Sequence, residues 1–91
     1  MIRFASLLLL LSLAPALAAP HDIAAYIGRR KACNHWAGEE PYDKARAAEI
    51  NKAVTKLKCG ALDADEKVLL RRYRHAPSRL KQIRAAKDAL L

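Results

Sequence analysis

Beyond position 18 the chain holds only 14 residues of Ile, Leu, Val and Trp, against 15 alanines. That scarcity limits the fold more than any other feature. A core so small cannot offset the ordering of 73 residues unaided, since each ordered residue costs about 1.5 kcal/mol. A deep core, an enzyme barrel and a multi-domain architecture are excluded, and a covalent staple is expected. The only two cysteines, Cys33 and Cys59, can supply it. On the loop-entropy argument, a bridge between them restricts the unfolded chain by roughly 3 kcal/mol. A metal site of Cys33, His35 and Cys59 is the rival reading. It lacks the paired spacing of a zinc motif, so no metal and no cofactor are expected.

Position 18 matters because of what precedes it. Met1-Ile2-Arg3 is a positive start, Leu7 to Leu11 with Leu13 is an apolar stretch, and Ala16-Leu17-Ala18 offers small residues for cleavage. This is the layout of a signal peptide over residues 1–18, leaving a helical domain over 19–91. The run is barely long enough to span a bilayer, and Pro15 interrupts it. The expectation is a soluble protein of the bacterial periplasm or beyond, with no membrane span in its mature part. Disulfides persist in that compartment.

Helical periodicity accounts for the rest, and no strand alternation is visible. The expected class is all-α, with four short helices. The first runs over about 22–35, capped by Asp22, with Ile23, Tyr26, Ile27 and Cys33 near one face. The second opens at Pro41 or Asp43. It carries Ala47, Ile50, Val54, Leu57 and Ala61 as an apolar seam, and Gly60 ends it as a left-handed cap. Asp63 and Glu66 form a capping-box-like pair for the third, which Pro77 breaks. Ser78 caps the fourth, with Leu80, Ile83 and Leu90 on its apolar side. A tight hairpin would set Cys33 and Cys59 about 24 Å apart. The connection over 34–43 is therefore expected to run extended over the second helix.

That connection is the richest stretch chemically. His35, Trp36, Glu39, Glu40 and Tyr42 lie within it, beside Asp43. A pinned loop with aromatic and charged groups suits recognition of a periplasmic or envelope protein. The alternative keeps the same residues structural. Trp36 would cover the core, Asp43 would cap, Glu39 would pair with Arg46 or Arg30, and Tyr42 would fill the gap beneath the loop. Catalysis is not expected. His35 and Glu39 could form an acid–base pair, but no nucleophile set, phosphate loop or zinc helix accompanies them.

Charge marks a second surface. The chain carries +8 overall. Arg71, Arg72, Arg74, Arg79, Lys81, Arg84 and Lys87 crowd its C-terminal part, with His75 among them. Such a cluster fits anionic lipid or lipopolysaccharide, and nucleic acid is not expected in that compartment.

Two resemblances complete the reading. Cys59, then Glu66-x-x-Leu69-Leu70-x-x-Tyr73, resembles the Cys…D-x-x-L-N-x-x-Y stretch of LprI-type lysozyme inhibitors, which are small exported helical cysteine-linked proteins. It covers about 15 of the 91 residues, with Glu66 in place of the family's Asp and Leu70 in place of its Asn. It implies a lysozyme as partner. The run from Cys33 to Asp43, C-N-H-W-A-G-E-E-P-Y-D, is similar to a segment of short exported bacterial proteins and implies no particular activity.

Overall fold

The computed structural model describes residues 18–89. The expected leader lies outside the described residues apart from Ala18, as does Leu90. The described residues form four α-helices and two 3₁₀ turns, with no strand. The helices are α1 (His21–Ala37), α2 (Lys44–Lys56), α3 (Leu62–Arg72) and α4 (Pro77–Ala85). One turn, Cys59–Ala61, precedes α3, and the other, Ala86–Asp88, follows α4. Cys33 and Cys59 are joined in a disulfide with their Cα atoms 5.7 Å apart. Both thiols are thereby consumed, which removes the metal alternative built on them.

The centre of the fold is α1. Ile23, Tyr26, Arg30 and Cys33 are its buried residues, at spacings that keep one side of a helix facing inward. Every other element packs against α1. Leu62 and Leu69 of α3, Ile83 of α4 and Ala86 of the last turn complete the core. Ile23 and Ile83 are fully enclosed. In contrast, α2 has no buried residue and meets only α1 and the turn that follows it. Its expected seam, with Ala47, Ile50, Val54 and Leu57, is only half-buried.

Arg30, only 8 % exposed, is a polar member of this interior. Its guanidinium donates to the Tyr26 hydroxyl at 2.9 and 3.1 Å and to Asp63 at 3.2 Å. A buried charge persists only when it is paired in this way. Nearby, Arg29 donates to the backbone carbonyls of Leu57 and Lys58, at 2.8 and 3.0 Å. A cation from α1 thus satisfies carbonyls that the end of α2 leaves open.

Several boundaries differ from the sequence expectation, each for a physical reason. The left-handed residue after α2 is Lys58, with φ 54°, and not Gly60, which sits inside the 3₁₀ turn. Arg29 and the bridge hold residues 57–59 together, so the chain reverses there. No side chain caps α3, because Asp63 turns to Arg30 and Glu66 accepts from the Tyr26 hydroxyl at 3.4 Å. α3 also stops at Arg72, a turn short of Pro77. Pro77 instead opens α4 at the position where its missing N–H costs nothing. Ala76 precedes it as the cap residue, which displaces Ser78 from that role.

The first helix is longer than expected. It begins at His21 and reaches Ala37, placing Asn34, His35 and Trp36 on its last turn. The connection shrinks to residues 38–43. It does not lie along α2: Glu40, Pro41 and Tyr42 are exposed, and it is tied to the first turn of α2 only through Glu39 and Asp43. The close approach required by the bridge occurs at the far end of α2 instead.

Candidate functional site

The end of α1, the connection and the start of α2 make one surface. Asp43 accepts from the Arg46 backbone N–H at 2.8 Å, the side-chain bond of a helix N-cap. This fixes the first turn of α2 and aims the Arg46 side chain back toward α1. Its guanidinium then lies 5.3 Å from the centre of the Trp36 ring, within cation–π range. Glu39 holds it there at 3.2 Å, and Glu49 pairs with it at the same distance. Glu39 raises the pKa of Arg46, chiefly through this hydrogen bond. Its other carboxylate oxygen is 3.1 Å from Nε2 of His35. The His35 and Trp36 rings meet edge-on, 5.7 Å apart.

Of the two partners expected for Glu39, then, Arg46 is the one it takes. The expected cap at Asp43 is present. Two of the structural roles are absent. Trp36 is half-buried but stands apart from the core, with Arg46 across its ring. Tyr42 fills no gap, for it is 76 % exposed. The structure gathers His35, Trp36 and Glu39 around Arg46, and leaves Glu40 and Tyr42 outward on the connection. Arg46 is the organising residue, although its sequence position suggested no more than one of two partners for Glu39. The cap three residues before it was the available signal.

The seven basic residues expected to act together divide. Arg72 pairs with Asp22. Arg79 donates to the Ala18 carbonyl at 3.0 Å and to Gln82 at 3.2 Å. Arg71, Arg74, Lys81, Arg84 and Lys87 remain exposed. Asn34, for which no role was expected, donates to the carbonyls of Lys87 and Ala89 at 3.0 and 2.8 Å, binding the end of the described chain to α1.

A shallow groove of about 300 Å³ lies between α1 and α3. Ala25, Val68 and Leu69 line it, and the Arg29–Asp65 and Arg72–Asp22 pairs stand at its rim. Among the described residues no three His, Cys, Asp or Glu side chains come together to hold a metal, and no helix is long and apolar enough to cross a membrane.

Asp22 also accepts from the Tyr73 hydroxyl at 2.8 Å. This bond, ahead of the contribution of Arg72 and against partial burial, holds the Asp22 carboxyl below the ordinary carboxylate range. A carboxyl depressed in the folded state stabilises the fold above its ordinary pKa. That contribution is lost as pH falls through the ordinary range to the folded-state value. Urea midpoints should therefore fall more steeply with acidification in the wild type than in Asp22→Asn. The two proteins should converge in strong acid, and parallel curves would deny Asp22 this role.

Comparison with protein-family models, with curated proteins and with solved structures found no match.

Proposed function

We propose that this is an exported, disulfide-stapled binding protein, without catalysis or cofactor. Its partner is a periplasmic or envelope protein, recognised through the end of α1 and the connection. The observation that carries this reading is that Trp36 and Tyr42 both stand outside the hydrophobic core. A domain this poor in large apolar residues would be expected to bury its one tryptophan. Here that residue packs against Arg46, with an exposed tyrosine six positions on. Tryptophan, tyrosine and arginine are the types that dominate binding energy at interfaces, and a disulfide-held scaffold limits the entropy lost on binding. The leader-like residues 1–18 and the bridge support export.

Tyr42→Ala gives the cleaner test, since its ring contributes nothing to the core. The oxidised protein, Tyr42→Ala, Trp36→Ala and a control, Lys52→Ala, would be crosslinked to an envelope extract. The expected result is one protein captured by the wild type and the control. Capture should weaken at least tenfold in both aromatic variants, while far-UV circular dichroism stays unchanged; that is the loss of more than about 1 kcal/mol that marks an energetic centre. Capture indifferent to both substitutions would overturn the reading. A turbidity assay on cell-wall lysis adds the narrower question, because a lysozyme partner requires inhibition that Tyr42→Ala relieves.

A further inference from the structure

The net positive charge of the chain beyond position 18 comes from a single segment. Residues 67–87 contain eight Lys and Arg and no Asp or Glu, whereas the remainder balances eight cations against nine carboxylates. The fold sorts that segment by face. Leu69, Ile83 and Ala86 turn into the core, with Tyr73, Ala76 and Leu80 half-buried beside them. Between these positions Arg71, Arg74, Lys81, Arg84 and Lys87 are exposed. Lys81 and Arg84 are three apart on α4, the spacing of neighbours on one helix side, and Arg74, in the turn beyond α3, donates to the Arg71 carbonyl at 3.0 Å. None of the five makes an ion pair among the described residues, although Asp22, Glu39, Glu49, Asp63 and Asp65 all take cations elsewhere. Five of the nine carboxylates beyond position 18 thus pair with Arg29, Arg30, Arg46 and Arg72, and none, Asp88 beside Lys87 included, pairs with these five cations among the described residues.

We propose that the end of α3, the following turn and α4 form a surface that adsorbs to an anionic lipid bilayer through its phosphate groups. This goes beyond the recognition surface and does not depend on it. The five cations are distributed over the end of α3, α4 and the turns after each, and none lines the groove between α1 and α3, which suits many dispersed phosphates better than one pocketed ligand. Val68 is the one exposed large apolar residue of the segment, and it lines the groove against α1. Adsorption is therefore coulombic and does not insert the chain. The aromatic platform that binds nucleic-acid bases is missing, because the one aromatic of the segment, Tyr73, is half-buried and bonded to Asp22.

The test is co-sedimentation of the oxidised protein with phosphatidylcholine vesicles, with and without phosphatidylglycerol. A triple variant, Lys81→Gln, Arg84→Gln and Lys87→Gln, is set beside Lys44→Gln, Lys52→Gln and Lys56→Gln, which removes the same charge from exposed positions of α2. Binding should require phosphatidylglycerol, and high salt should abolish it. It should weaken about fivefold for each cation lost from this surface and much less in the α2 variant. Equal binding to neutral vesicles, or equal losses in the two variants, would overturn the proposal. So would tighter binding to duplex DNA than to phosphatidylglycerol vesicles at the same ionic strength.

Discussion

Replacing both Cys33 and Cys59 by serine is expected to lower the unfolding free energy by roughly 3 kcal/mol. Urea denaturation of the oxidised and variant proteins measures this directly. The entropy of the closed loop accounts for the figure, and the architecture makes it matter. α2 buries no residue of its own and meets only α1 and the turn beyond it. Without the bridge it is retained by the bonds from Arg29 to Leu57 and Lys58 and by Arg46 against Trp36 and Glu39. These contacts are partly solvated, and exposed ion pairs contribute only about 0–1 kcal/mol each. Detachment of α2 should thus precede loss of the α1–α3–α4 core. Hydrogen exchange after reduction should show α2 amides open first. A denaturation midpoint that hardly moves would mean that the side-chain ties suffice.

The other large effect is expected at the two fully enclosed residues. Ile23→Ala or Ile83→Ala should each cost about 2–5 kcal/mol, because the deleted methyl groups leave a cavity as well as lost burial. A domain of this size has a total stability of roughly 4–10 kcal/mol, so either variant should approach its unfolding midpoint without denaturant. Ile50→Ala removes the same atoms from α2, where the side chain is half-buried. Its expected cost is about 1 kcal/mol. Urea midpoints for the three variants check the contrast. A loss at Ile50 as large as at Ile23 would place α2 inside the cooperative core, against the burial pattern.

Residue types and their spacing alone determined much of this architecture. Four helices follow from local periodicity. The inward positions Ile23, Tyr26 and Cys33 follow from the helical repeat, and the cap at Asp43 from its place before an apolar seam. The bridge follows from two cysteines in a chain too poor in apolar residues to fold without help. Periodicity and capping are short-range properties that few distant residues can alter, and the bridge, which spans 26 positions, has only one possible pairing.

What the tertiary structure decided was which partner each polar group takes. Asp63 and Glu66 have the spacing of a local capping pair, yet Arg30 and Tyr26, more than 30 residues away, claim them. Gly60 has the backbone freedom for a left-handed cap. Lys58 adopts that conformation because Arg29 and the bridge fix where the chain must reverse. Trp36 has the character of a core residue and stands outside the core, since α1 continues through it and turns it toward Arg46. Arg72 and Arg79 read as members of the basic cluster until Asp22 and Gln82 engage them. A local pattern limits the conformations a segment can adopt. A hydrogen-bonding group settles on its strongest available partner, and that partner is brought into reach only when the helices pack.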